Sequence, residues 1–375
     1  MRLLCKSLFI SIFILFSTTT FAARLLQPAG PANSQQVQTG LHSVKYKLNI
    51  YDTPPAFGEG LRIASFQNWG RSGTKQAMNA NFKQLVTMVK KAKQYGAQLI
   101  GFPELYLPGY ALSPQDAKNL ALTKNSPEIQ KIQKIAKQYN VAIVLPYAEK
   151  AQINGKWKYF DAIAFINNHG KLLESYRKTH LFGIAERLNW SAGNGPYNVY
   201  KINGFPVGIL NCYEAEFPEL SRILALKGAK LIVIPTAADT YWKMYNGQWT
   251  DVRYPDISKL LLPAFSYANN IFISYINHAG YEFLGKDFWH YEGNSTVVDP
   301  HGKVVLSADK DQATLLIADV VPKYYGPTHP ENANYLRDRR PRLYEELLKT
   351  KVKFDGGHVY PRYPQGEDIY PGFPK

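Results

Sequence analysis

Cysteine is nearly absent. The chain has 375 residues and only two cysteines, Cys5 and Cys212, so a disulfide-stapled scaffold is excluded. Long apolar runs are also missing after the first few residues, which leaves no later stretch of the roughly 20 apolar residues a transmembrane helix needs. Eight histidines are present, yet none sits in a local motif that would pair it with a cysteine, although His180 lies two residues from Lys178 and is kept in reserve. There is no repeat of fixed period, no nucleic-acid-binding motif and no dense basic cluster. Acidic residues are outnumbered, 29 against 44 basic ones, for a formal net charge of +15. That excess favours anionic surfaces such as an acidic cell envelope. The run Arg337, Arg339, Arg340, Arg342 alternates with Asp338 and precedes Glu345 and Glu346, so it reads as a solvated, salt-bridged surface.

What is present begins with MRLLCKSLFISIFILFSTTTFAAR. Arg2 and Lys6 supply a basic start, Leu8 to Phe16 a short apolar core, and Thr20-Phe21-Ala22 a cleavage site. The pattern is that of a secretory signal peptide over residues 1–22, and the expectation is an exported protein, periplasmic or secreted, with no membrane insertion after cleavage. Cys5 leaves with the signal. Cys212 then remains as a lone thiol, a liability in an oxidising compartment. A lone cysteine packs well as a small apolar residue; it is a nucleophile only if it has partners.

Apolar residues make up 45% of the chain and charged ones 19%, the composition of a globular protein. Residues 23–60 are polar, carry Pro28, Pro31, Pro54 and Pro55, and read as an N-terminal arm or linker. From Leu61 the pattern changes. LRIASFQ is a strand; Lys75 to Tyr95 places Phe82, Leu85, Val86 and Val89 at helical spacing; AQLIGFPE is a short strand stopped by proline. Pro127 to Gln138 is helical, VAIVLPYAE a strand, and KYFDAIAFIN and KLLESYRK two strands joined at Asn168-His169-Gly170. FPVGILNC is a strand before a helix from Phe217 to Lys227. KLIVIPTAA, a helix from Asp256 to Asn269, IFISYINHA, the hairpin STVVDPHGKVVLSA and the strand ATLLIADVV follow. Helices alternating with apolar strands predict an α/β layered domain in which sheets are covered by helices, spanning 61–321. The Tyr- and Pro-rich extension 322–375 is expected to pack on the surface or on a partner subunit.

Three strand ends carry reactive side chains: Glu104 past LIGFP, Lys178 past LLESYR and Cys212 past PVGIL. Ligands of open α/β sheets bind outside the carboxyl ends of strands. A strand turning sharply into a helix at Cys212 exposes the thiol and aims backbone N–H groups at the same point, where they can hold an oxyanion. A thiol needs a base or a positive neighbour to react at neutral pH; Glu104 suits the first role and Lys178 the second.

Together, 100-IGFPELYLPGY-110, 176-YRKTHLF-182 and 212-CYEAEFPE-219 resemble, in order and context, the motifs of the nitrilase superfamily of carbon–nitrogen hydrolases. The resemblance runs from about Leu61 to Val321, and 335-YLRDRRPRLYEEL-347 looks like the family's amidase branches. It implies an α-β-β-α sandwich and an acyl-enzyme mechanism in which Cys212 is the nucleophile, Glu104 the general base and acid, and Lys178 with the backbone N–H of Tyr213 the oxyanion site. A second glutamate that positions base and substrate is expected at Glu186, in GIAERLNW. Neither metal nor organic cofactor is implied. Family members usually assemble as homodimers or larger homo-oligomers, so one is expected here.

The family acts on nitriles, amides and N-carbamoyl compounds. Nitrile-hydrolysing members tend to have tryptophan where this chain has Tyr213. Members acting on N-carbamoyl amino acids tend to carry arginines to grip a carboxylate, where this chain has Glu214-Ala215-Glu216. The expectation is therefore an amidase for a neutral or cationic small-molecule amide, with Glu216 as the ammonium partner. Nitrile or N-carbamoyl hydrolysis, transfer of the acyl group to an amine, and a non-catalytic binding protein on the same fold are the alternatives; the intact Glu104, Lys178 and Cys212 set argues against the last. The aromatic stretches 239–249 and 281–293 are expected to wall the pocket.

Overall fold

A computed structural model of the chain describes residues 43–240, 256–284, 287–328, 331 and 333–349. The expected signal peptide, the end of the extension and most of the 239–249 stretch lie outside the described residues.

Fifteen strands and seven α-helices are described. The first sheet contains β1 (Lys45–Asn49), β2 (Leu61–Trp69), β3 (Leu99–Gly101), β4 (Ala142–Ile153), β5 (Lys156–Ile166), β6 (Leu172–Arg177), β11 (His278–Leu284), β12 (Asp287–Glu292) and β15 (Thr314–Val320). Its main order is β1-β15-β2-β3-β4-β5-β6, and the β11/β12 hairpin continues from the end of β2. The second sheet contains β7 (Val199–Ile202), β8 (Phe205–Ile209), β9 (Leu231–Pro235), β10 (Phe272–Ile276), β13 (Thr296–Val298) and β14 (Val304–Ser307), in the order β14-β13-β10-β9-β8-β7. The helices are α1 (Lys75–Gln94), α2 (Pro114–Leu120), α3 (Pro127–Tyr139), α4 (Gly183–Asn189), α5 (Pro218–Leu226), α6 (Ile257–Leu260) and α7 (Leu262–Asn269).

Strand alternation builds the layers. On β2, Leu61 and Ile63 face the second sheet, while Ala64 and Phe66 face α1 and α3. The buried stripe of α1 is Leu85, Met88, Val89 and Ala92, the i, i+3, i+4, i+7 spacing of one helix face, and Thr74 Oγ1 caps its start by accepting the Ala77 N–H at 3.0 Å. On β9, Leu231 and Val233 point into the space between the sheets, and Ile232 and Ile234 point out toward Leu220 and Leu224 of α5 and Leu262 of α7. Three apolar cores thus separate four layers, helix–sheet–sheet–helix. The chain is an α/β protein with an α-β-β-α sandwich.

Several details depart from the sequence reading. A strand, β1, precedes Leu61 and pairs in parallel with β15. The helix expected over Asp256–Asn269 is two, broken at Leu261, because Pro263 has no N–H to continue the ladder. The stretch 281–293 is largely the β11/β12 hairpin. β4 and β5 form one long hairpin, closed by Asn154 and Gly155 at φ 50° and 75°, the left-handed pair that a two-residue turn of this twist requires. Part of the extension lies on the chain itself, with Tyr325 edge-on to Phe272 at 5.1 Å and Tyr335 against Tyr267 at 6.0 Å.

Candidate active site

Glu104, Lys178, Glu186 and Cys212 come from four elements and meet at one point. Glu104 follows β3 and is fully buried. Its backbone is clamped on both sides: its N–H donates to Thr236 O at 3.2 Å, and its carbonyl accepts His278 Nε2 at 2.6 Å. Lys178 follows β6 and is also fully buried. Its N–H donates to Asp161 O at 2.9 Å and its carbonyl accepts the Gly193 N–H at 2.7 Å. Gly193 is required there, because a Cβ would stand 2.2 Å from the Arg177 carbonyl oxygen.

The Lys178 ammonium donates to Glu104 Oε1 at 2.5 Å and to Glu186 Oε1 at 2.8 Å. A third carboxyl, Asp161 on β5, has Oδ2 at 3.6 Å from the same nitrogen. Oxygens of Glu104, Asp161 and Glu186 lie within 4.8 Å of one another, a spacing that suits a cation. Lys178 is that cation, and a metal ion would have to displace it. An ammonium has three protons; two go to the glutamates and the third is available to a substrate oxygen. Glu186, on α4, also accepts the Phe182 N–H and the Tyr110 hydroxyl, each at 2.7 Å.

Cys212 opens a short 3-10 helix, Cys212–Glu216, directly after β8 and the buried pair Leu210-Asn211. Its φ is 51°, a left-handed value that is strained for a side chain with a Cβ. The surroundings hold it in place. Glu214, fully buried, accepts the Asn211 N–H at 2.8 Å, the Thr179 N–H at 2.7 Å, the Thr179 hydroxyl at 2.6 Å and the Tyr176 hydroxyl at 2.7 Å. The cysteine turn is thereby pinned to the segment that carries Lys178.

Burial and the neighbouring Glu104 push the Cys212 thiol well above its ordinary range, with Lys178 only partly offsetting them. The upward direction favours the neutral thiol at rest. Burial alone would raise Glu104, but the Lys178 charge and hydrogen bonds outweigh it, and the carboxyl lies below the usual range. Burial would likewise depress Lys178, but Glu104 and Glu186 more than reverse this and hold it firmly charged. The site therefore joins a neutral thiol, an ionised carboxylate whose charge acts on it and a fixed ammonium, the parts needed to move a proton off sulfur as the sulfur attacks a carbonyl.

Tyr213 lies beside the thiol in a cluster with Phe182 at 5.3 Å and Phe217 at 5.0 Å. Glu216 is half-buried at the end of the 3-10 turn that Cys212 opens. The Glu214 carboxylate is occupied by internal donors. His180 is not paired with the thiol: its Nδ1 lies 2.7 Å from the Thr179 hydroxyl and its ring packs on Phe217 at 4.3 Å. Sequence reasoning passed over Asp161, Asn211 and Tyr110. A lone aspartate inside the apolar run KYFDAIAFIN was the available signal for the first. It also passed over Glu282, whose Oε2 accepts the N–H groups of Tyr110 and Ala111, each at 2.8 Å, and ties the β11/β12 hairpin to the loop that leaves Glu104.

Comparison with known proteins places this arrangement. Residues 62–330 match the carbon–nitrogen hydrolase family. A protein of Pseudomonas protegens described as a hydrolase in the pqqF 5′ region is 33% identical over 68% of this chain and 81% of its own length. The N-carbamoylputrescine amidase of Arabidopsis thaliana is 27% identical over 72% of this chain and 91% of its own. An amidase of Nesterenkonia sp. AN1, solved with the acetamide moiety of fluoroacetamide added covalently at its active-site cysteine, superposes with a TM-score of 0.60 at 25% identity, covering 79% of this chain and 99% of that one. The chain belongs to the carbon–nitrogen hydrolase family of the nitrilase superfamily and is an amidase-type carbon–nitrogen hydrolase.

Proposed function

We propose that the chain hydrolyses a neutral or cationic small-molecule amide through a thioester at Cys212. The observation that carries this reading is one buried ammonium, Lys178, bridging Glu104 and Glu186. Glu104 takes the thiol proton as sulfur adds to the amide carbonyl. The oxyanion is held by the third proton of Lys178 and the N–H of Tyr213. The C–N bond breaks, Glu104 returns the proton to the leaving nitrogen, and ammonia or an amine departs. Water then attacks the thioester with Glu104 again as base, and the carboxylic acid leaves as the thiol re-forms. Glu186 holds Lys178 and Tyr110 in place throughout.

Preference for a neutral or cationic amide is supported by Glu216, half-buried in the 3-10 turn that Cys212 opens, which is read as the ammonium partner. Export through residues 1–22 to a periplasmic or secreted location, supported by the sequence pattern, and assembly as a homo-oligomer complete the proposal.

Ammonia release on a panel of cationic, neutral and anionic amides and nitriles tests it, with Cys212→Ala as the blank. The expected order is cationic and neutral amides first, and no release by the variant. Faster turnover of N-carbamoyl amino acids than of aminoamides would overturn the substrate assignment.

A further inference from the structure

Three carboxyl groups surround one buried ammonium. Glu104, Asp161 and Lys178 are fully buried and Glu186 nearly so. With all three acids ionised the cluster would carry two uncompensated negative charges, which burial penalises heavily. One acid must therefore keep its proton, and the donors decide which. Glu186 accepts from Lys178, the Phe182 N–H and the Tyr110 hydroxyl. Glu104 accepts from Lys178 at 2.5 Å. Asp161 accepts only from Asn211 Nδ2, at 3.0 Å on Oδ1, and the Lys178 nitrogen is 3.6 Å from its Oδ2.

A second observation fixes where the proton sits. Among buried side-chain oxygens, Glu104 Oε2 and Asp161 Oδ2 each lack a donor. Yet oxygens of the two carboxyls lie within 4.8 Å of each other around the same ammonium, and the electrostatics pair the two as hydrogen-bond partners. Two bare acceptors cannot bond, but a single proton placed between them satisfies both at once.

We propose that Asp161 is held as the neutral acid, its Oδ2–H donating to Glu104 Oε2, and that it is a positioning residue which keeps Glu104 ionised and aimed at Cys212. This rests on Glu104 being the base. The charged and titratable groups facing Asp161 are Glu104 beyond β3, Lys178 beyond β6, Glu186 on α4 and, through Glu104, Cys212 beyond β8. The direction of the Asp161 shift, upward through burial and then the Glu104 charge, agrees.

Two variants and one spectrum test it. Asp161→Asn keeps a donor toward Glu104 and an acceptor for Asn211, whereas Asp161→Ala orphans both. Because the alanine variant leaves two buried partners unpaired, kcat/KM of the asparagine variant is expected to exceed that of the alanine variant by roughly tenfold or more. The acid limb of the pH profile should stay in place in Asp161→Asn and move up in Asp161→Ala, where Glu104 has lost a donor. If Asp161 were ionised instead, the asparagine variant would remove a negative neighbour and the acid limb would fall by about one pH unit or more, which would overturn the proposal. Equal losses in the two variants would overturn it too. Infrared difference spectra need no substrate: the carbonyl stretch of a protonated acid should be present in the native protein at neutral pH and vanish in Asp161→Asn. Its absence from the native protein sinks the proposal even if the enzyme turns over. Its presence in a protein inert toward amides faults the functional reading and leaves Asp161's proton established.

Discussion

Lys178 shows how much a single residue can organise. Its ammonium has no contact with water and is held charged by the carboxylates around it. Replacing it with methionine keeps the volume and strands those carboxylates, an effect of about 3–5 kcal/mol when one partner of a buried pair is removed. The deficit depends on pH. Lys178 has its folded pKa raised, so its contribution is complete below the ordinary lysine range and fades only as pH rises through the raised value. Glu104 has its folded pKa lowered, so its share is present above the ordinary carboxylate range and is lost as pH falls through the lowered value. Urea unfolding should therefore show the largest gap between native protein and Lys178→Met at neutral to mildly alkaline pH, and a smaller one in acid. A constant gap across that range would refute the charge argument and leave only packing.

At the scale of elements, the sequence announced most of the frame and little of the scaffolding behind the site. Strands with strong apolar runs, such as β4, β9 and β10, and helices with clean periodicity, such as α1 and α3, were legible because burial of one face dictates the pattern. So were the three strand ends, since a reactive side chain after an apolar run stands out. The β11/β12 hairpin was not, because Tyr281, Phe283, Phe288 and His290 pack on one another within it, which blurs alternation into an aromatic stretch. The anchoring roles of Asp161 and Glu214 were missed for a related reason: a buried acid is identified by its donors, and those donors come from distant segments, Asn211 for the first and Tyr176 and Thr179 for the second. Glu282 joins two such segments. Glu282→Ala would leave the Tyr110 and Ala111 N–H groups without their acceptor, at about 1–3 kcal/mol each, and would loosen Tyr110 from Glu186. A lower melting temperature together with reduced kcat is expected; unchanged kcat would mean the loop holds its place without the hairpin.

For the whole molecule, the proposals concern where it goes and in what company. Among described residues no helix is long and apolar enough to cross a membrane. N-terminal sequencing of the protein recovered from outside the cytoplasm should begin at Ala23, and light scattering should give a multiple of the chain mass. Recovery of the full-length chain in the cytoplasm alone, or a monomer at all concentrations, would remove the corresponding claim.

The resting state of Cys212 has one more consequence. Peroxide and electrophiles attack thiolates and leave thiols nearly untouched. A sulfur that burial keeps protonated is therefore latent: it becomes a nucleophile only while an acyl carbonyl lies against it and its proton has somewhere to go. The substrate itself releases the safety catch, and between turnovers the enzyme's one reactive atom is chemically quiet.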